Sequence, residues 1–138
     1  MNYYWLAILT SVIWGIAPIL EKLGLSKVEP LTGLFYRSLA VLLGLIFLGF
    51  FMVKPQELRN VDLRSIGLIM AGGFLASFVA QVLFYHSLKI GDVSKVVPIS
   101  GSYPLVAFIL GVILLGEAIT PAKIAGCLCV ILGIWLLK

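Results

Sequence analysis

The stretch from Val93 to Leu115, VSKVVPISGSYPLVAFILGVILL, runs for 23 residues with one charge, Lys95, close to its start. A run that long and apolar is a membrane span, because about 20 such residues cover the ~30 Å hydrocarbon core. It also holds Pro98, Pro104 and the cluster Ser100-Gly101-Ser102, where a simple anchor needs none of them. Four other apolar runs accompany it. The sequence therefore predicts an all-α polytopic membrane protein, a single domain over residues 1–138 built of five transmembrane helices. The spans are expected at about 3–20, 31–53, 65–88, 93–115 and 121–137. With 62% apolar and 12% charged residues, an ordinary soluble domain is excluded, since such domains carry about twice that charge. The net charge of +4 does not mark a nucleic-acid binder, because the ten Lys and Arg residues are dispersed among short connections.

Tyr3, Tyr4 and Trp5 form an interfacial aromatic cluster at the start of the first span. No basic segment precedes that span and no small-residue cleavage site follows it, so it reads as a retained helix and not a signal peptide. Within it Ser11, Trp14, Gly15 and Pro18 share one face, and a polar or small face in hydrocarbon turns toward protein. The span is expected to end at Leu20, before the pair Glu21-Lys22. Pro30 suits the first turn of the second span, in which Gly33, Tyr36, Arg37, Ala40 and Gly44 share a face. Arg37 lies about 10 Å inside that span, facing a cavity or snorkelling to the headgroups.

The segment 54–64, KPQELRNVDLR, is expected to be an exposed loop, with Asp62 capping the third span. In that span Gly72, Ala76 and Ala80 are four apart, and so are Gly73, Ser77 and Gln81, with Tyr85 next. These ridges permit close helix approach. His86 reads as an interfacial residue. Thr120 and Pro121 form an N-cap and first-turn proline for the fifth span, where Ala125, Cys129 and Gly133 make another small-residue ridge. Cys127 and Cys129 have no His or acidic neighbour and read as packing residues.

Five spans put the termini on opposite faces. One face then holds Lys54, Arg59, Arg64 and Lys123, and the other Lys22, Lys27, Lys89, Lys95 and Lys138. Four basic residues against five leave the positive-inside rule almost silent, as in a chain that inserts both ways or one whose fixed orientation is weakly marked.

Measured from the face where the second span begins, Trp14, Arg37, Gln81 and Pro98 all lie about 7–11 Å deep. Tyr36 and Tyr85 lie nearer the surface, and Ser11 and Ser102 deeper. Polar groups at one level are expected to converge on a common wet cavity. Pro98 and Pro104 each remove a backbone N–H, and bent helices are tolerated where they line a cavity. No Asp or Glu is expected deep in any span. Arg37 is the one deep charge, unpaired within its span, which favours an anionic or zwitterionic solute, or a lipid headgroup, over a bare cation. Nothing reads as a nucleophile, a metal cluster or a phosphate-binding loop, so neither enzyme activity nor a cofactor is expected.

Trp14-Gly15, Arg37, and the stretch YHSLKIGDVSKVVPISGSYPLVAFILGVILLGEAITPAKIAGCLCVILGIWLL carry a resemblance that covers nearly the whole chain. Within that stretch stand Pro98, Pro104, the ending Leu115-Gly116-Glu117 and the Gly126/Gly133 helix. The chain resembles the EamA family of the drug/metabolite transporter superfamily. Typical members have ten spans in two halves of opposite orientation and are thought to export metabolites, whereas this chain corresponds to one half. It is also similar to the four-span small multidrug resistance proteins, which work as antiparallel dimers, but Glu21 is placed at a helix end and not where their embedded glutamate lies.

These readings lead to a secondary transporter or exporter of a small polar metabolite, anionic or zwitterionic, in the cell membrane. Two chains acting by alternating access are expected, as a homodimer (parallel or antiparallel) or with an inverted homologous partner. The expected substrate-binding residues are Ser11, Trp14, Tyr36, Arg37, Gln81, Tyr85 and Ser102, with Pro98 and Pro104 at the bend that gates. Alternatives are a flippase, or flippase subunit, for a lipid-linked intermediate, and a non-transporting membrane accessory subunit.

Overall fold

A backbone in hydrocarbon has no water to bond, so its N–H and C=O groups must satisfy one another within helices. The computed structural model of the chain, which describes residues 2–54, 56, 58 and 61–137, follows that rule. Helices α1 (Tyr3–Leu25) and α2 (Pro30–Phe51) are followed by α3 (Leu63–Phe74). A π-helical turn (Leu75–Val79) joins α3 directly to α4 (Ala80–Ile90). Then come α5 (Val93–Ser100), α6 (Tyr103–Leu115) and α7 (Pro121–Leu136). No strand occurs among the described residues. Four continuous stretches are long and apolar enough to cross a membrane: Tyr3–Leu25, Pro30–Phe51, Leu63–Ile90 and Val93–Leu115. Helix α7, with 16 residues, is shorter at about 24 Å. This is an all-α, multi-pass membrane protein. Arg59 and Lys138, two of the charges in the topology count, lie outside the described residues, as do Pro55, Glu57 and Asn60 of the 54–64 loop.

The chain divides after Ile90 into two units. In the first, α1 does not stop at Leu20. Glu, Lys and Leu are good helix formers, and the helix runs on through Glu21 and Lys22 to Leu25. Ser26 closes it, with its N–H and its hydroxyl donating to Leu23 O at 3.3 and 2.7 Å. Pro30 opens α2, where a missing N–H costs nothing. Asp62 caps α3 by accepting from the Ser65 N–H at 2.9 Å, and the hydrogen bonds from Ser65 hold its carboxyl below the ordinary range.

Packing in this unit is confined to one end. The buried residues are Pro18 and Leu25 of α1, Pro30 and Leu34 of α2, and Tyr85 and Leu88 of α4. Neither α3 nor the π turn buries a side chain. Gly33 permits the close approach, because a Cβ there would lie 2.7 Å from Leu25 Cδ2 and 3.3 Å from Tyr85 Cε1. No other part of the described chain lies within 4 Å of a Cβ placed at Gly72 or Gly73. The π turn interrupts a simple i+4 stripe across this span. Each i→i+5 turn holds an extra residue and rotates everything after it relative to a continuous α-helix.

In the second unit Pro98 and Pro104 flank a break. Helix α5 ends at Ser100, Gly101 and Ser102 form a turn, and Pro104 sits in the first turn of α6. The turn is held by Gly101 N–H to Val97 O (2.7 Å) and Leu105 N–H to Ser102 O (2.9 Å). At the other end of α6, Gly116 adopts the left-handed conformation (φ 67°), and the Glu117 N–H reaches back to Gly111 O at 3.1 Å. Lys123 Nζ then bonds Glu117 Oε2 and Ala118 O, each at 3.1 Å, while the Thr120 hydroxyl caps α7.

Candidate functional site

The longer α1 changes the chemistry of the first unit. It places Glu21 inside a helix, one turn before its end, where its carboxylate meets Arg37 of α2. Arg37 Nε donates to Glu21 Oε1 at 3.3 Å. The two side chains are only 29% and 18% exposed. Arg37, which has no partner within its own span, thus has a carboxylate partner on the neighbouring helix. The reason lies in where α1 ends, not in α2. The terminal nitrogens of Arg37 make no hydrogen bond among the described residues, so its planar donor fork is still available. Tyr85 of α4, 3% exposed, completes the group, with its phenol within electrostatic reach of both Glu21 and Arg37.

A cavity of about 400 Å³ adjoins these residues. Glu21, Arg37, Tyr36 and Tyr85 line it together with Gly33 and Leu25. An open hollow with apolar walls, a carboxylate and a guanidinium can hold a small solute that carries both charges, or an anion on the free guanidinium fork.

The other expected site residues are not among those that line this cavity. Trp14 is 61% exposed on α1 and does not border the cavity. The Ser11 hydroxyl donates to Ile8 O of its own helix at 2.8 Å. Gln81 lies one turn before Tyr85 on α4, and its buried Oε1 has no partner among the described residues. Ser102, Pro98 and Pro104 belong to the second unit, where the Ser102 hydroxyl donates to Ile99 O at 2.6 Å within the helix break. The structure therefore brings together Tyr36, Arg37 and Tyr85 and adds Glu21. Among the described residues, no group of three or more His, Cys, Asp or Glu side chains could hold a metal.

Two lysines that sequence reasoning treated only as topology charges fasten the same end of the unit. Lys22 of α1 donates to Leu88 O and, at 3.4 Å, to Lys89 O at the end of α4. Lys89 of α4 donates to Leu25 O at 2.6 Å and Val28 O at 3.1 Å, at and beyond the end of α1. Each ammonium satisfies carbonyls that a helix C-terminus leaves without partners, at the negative end of the helix dipole. The available signal was a lysine in the last turn of each helix.

The chain matches the model of the EamA-like transporter family over residues 1–138. It is 32% identical over 139 residues to an uncharacterized transporter of Archaeoglobus fulgidus, a match covering 98% of this chain and 49% of the relative. It is 25% identical over 133 residues to an uncharacterized protein of Methanocaldococcus jannaschii, covering 96% of this chain and 93% of that one. The chain thus spans about half the length of the Archaeoglobus relative and nearly all of the Methanocaldococcus one. No solved structure matches it. With its membrane helices and a match along its whole length, the chain belongs to the EamA-like transporter family.

Proposed function

We propose that the chain is a secondary transporter or exporter of a small polar metabolite in the cell membrane, working by alternating access in a two-chain assembly. The solute is zwitterionic or anionic. The observation that carries this reading is the Arg37–Glu21 pair in the cavity beside Tyr85. Ionisable groups within spans are costly and mark solute pathways. Glu21 tethers Nε and leaves the terminal nitrogens of Arg37 for a carboxylate, while Glu21 itself attracts an ammonium. Tyr36 and Tyr85 provide the walls. A second chain supplies the opposing gate that one five-helix unit lacks, as inverted repeats do in longer transporters. A relative about twice as long, matched over half its length, supports this assembly.

Flux in proteoliposomes tests the reading against a panel of zwitterionic, anionic, cationic and lipid-linked solutes. Uptake of zwitterions or anions, but not of cations, is expected. Movement of a lipid-linked solute alone identifies a flippase, and no flux for any solute identifies an accessory subunit. The double variant Glu21→Met/Arg37→Met separates recognition from folding. Replacing a partly buried ion pair with apolar residues is often neutral for stability, so this variant is expected to reach the membrane in parental amounts and to transport nothing. Parental flux in it refutes the assigned role of the pair.

A further inference from the structure

We infer that α4 is the moving segment of a gate at the packed end of the first unit, hinged at the π turn and latched by the reciprocal capping of Lys22 and Lys89. Three observations meet there. Burial changes abruptly along the third span, from none in α3 and the π turn to Tyr85 and Leu88 in α4. The π turn, Leu75–Val79, stands at that boundary. Wide turns of this kind are where helices bend, and they recur at functional positions. The lysines then tie the C-terminal end of α4 to the end of α1 in both directions.

The contacts suit a closure that must open. Leu88 is 0% exposed and Tyr85 3%, and Tyr85 is also a wall of the larger cavity. Swinging α4 about the π turn therefore draws the Tyr85 wall away from the cavity and exposes Leu88 in one movement. A second cavity of about 160 Å³, lined by Lys22, Leu25, Ser26 and Lys89, leaves room at the latch itself. When the latch parts, water can replace each broken bond, because ammonium groups and helix-end carbonyls are readily hydrated at a membrane edge. An apolar seam closed by leucines alone has no such exchange.

The inference rests on the transport reading for its purpose, but its test reads opening and not flux. Leu88→Cys is placed in a Cys127→Ser/Cys129→Ser background, and proteoliposomes are treated with a membrane-impermeant thiol reagent. Such a reagent reacts with the thiolate and so reports where water reaches. Lys22→Met and Lys89→Met are each expected to speed labelling about tenfold by shifting the closed–open equilibrium, while Lys89→Arg, which keeps the donors, stays at the parental rate. Deleting Ala76 removes the extra residue of the π turn, restores a continuous helix and is expected to slow labelling below that of the reporter alone. Loss of fold speeds labelling and so cannot imitate that result. Parental rates in both methionine variants, an arginine variant as fast as methionine, or an Ala76 deletion no slower than the reporter each overturn the gate. A chain that moves no solute yet shows the expected labelling pattern loses the transport reading and keeps the gate.

Discussion

Gly33→Ala probes the packed end most directly. Its effect has two terms of opposite sign. Alanine in place of a helical glycine contributes up to about 1 kcal/mol through backbone propensity. Against that, the new Cβ would lie 2.7 Å from Leu25 Cδ2, a contact that forces a shift, and 3.3 Å from Tyr85 Cε1. Leu25 is 2% exposed and Tyr85 3%, and the space into which either could shift is the cavity that both of them line. Overpacking of that kind costs about 1–3 kcal/mol, leaving a net destabilisation of roughly 0–3 kcal/mol. Gly44→Ala is the internal reference, because it lies on the same helix with nothing within 4 Å of its Cβ position. The propensity term cancels between the two variants, so Gly33→Ala should be the less stable by about 1–3 kcal/mol. Unfolding by SDS in mixed micelles, followed by the fluorescence of the three tryptophans, measures that difference. Combining Gly33→Ala with Leu25→Ala should relieve the clash and give a coupling of about 0.5–3 kcal/mol. A Gly33→Ala protein as stable as Gly44→Ala, with no coupling to Leu25→Ala, would falsify the close approach of α1, α2 and α4.

Four further outcomes are expected. Arg37→Lys keeps the charge but loses the planar fork, so solute flux should fall about tenfold or more at unchanged abundance, and Arg37→Ala, which leaves Glu21 without its partner, should abolish it. Thr120→Ala removes the cap of α7 (Lys123 N–H to Oγ1, 3.3 Å) and should cost about 1 kcal/mol in the same SDS titration. Lys123→Met breaks an exposed pair with Glu117 and should change stability by no more than about 1 kcal/mol. The Asp62 carboxyl is depressed below its ordinary 3.8, so its support of α3 is present above that pH and is lost as pH falls through the lower folded value. Hydrogen exchange at the Ser65 amide should accelerate across that acid window in the parent and show no such step in Asp62→Asn.

The membrane architecture was legible because a bilayer imposes one length and one polarity on every span. A bend in the 93–115 span was legible from Pro98 and Pro104, which each remove a backbone donor, whereas its form as a full break with Gly101 and Ser102 in a turn was not. Two other features of the fold were not legible either. The π turn is written in LASFV, residues that carry no breaker and suit an α-helix as well. The end of α1 was obscured because a charged pair reads as a membrane edge in a hydropathy pattern, although helix propensity is indifferent to it. Glu21 and Lys22 are good helix formers, and only at Ser26, with its side chain turned back on Leu23 O, does the helix close.

That single turn of helix decides the electrostatics of the cavity. Tyr36, Arg37 and Tyr85 were visible as polar groups at helical spacing in apolar runs, a pattern that local sequence preserves. Glu21 was not, because its role depends on α1 continuing and on α2 returning antiparallel beside it through the short connection at 26–29. Lys22 and Lys89 were hidden for a similar reason, since a cross-cap exists only where two helix ends more than 60 residues apart meet. An arginine alone in hydrocarbon would make the cavity an anion site. With Glu21 on its Nε, the cavity has nearly balanced charge, and a solute gains most by offering a negative group to the free fork and a positive one to the carboxylate. A bare anion must also face Glu21, and a bare cation must face Arg37. Selectivity between anions and zwitterions should therefore follow the state of residue 21. Glu21→Gln should shift preference toward anions without closing the cavity, because the amide oxygen still accepts from Arg37 Nε while the negative charge is gone. The readout is the ratio of zwitterion to anion flux in matched proteoliposomes, and a ratio unmoved by Glu21→Gln would show that the carboxylate only braces the arginine.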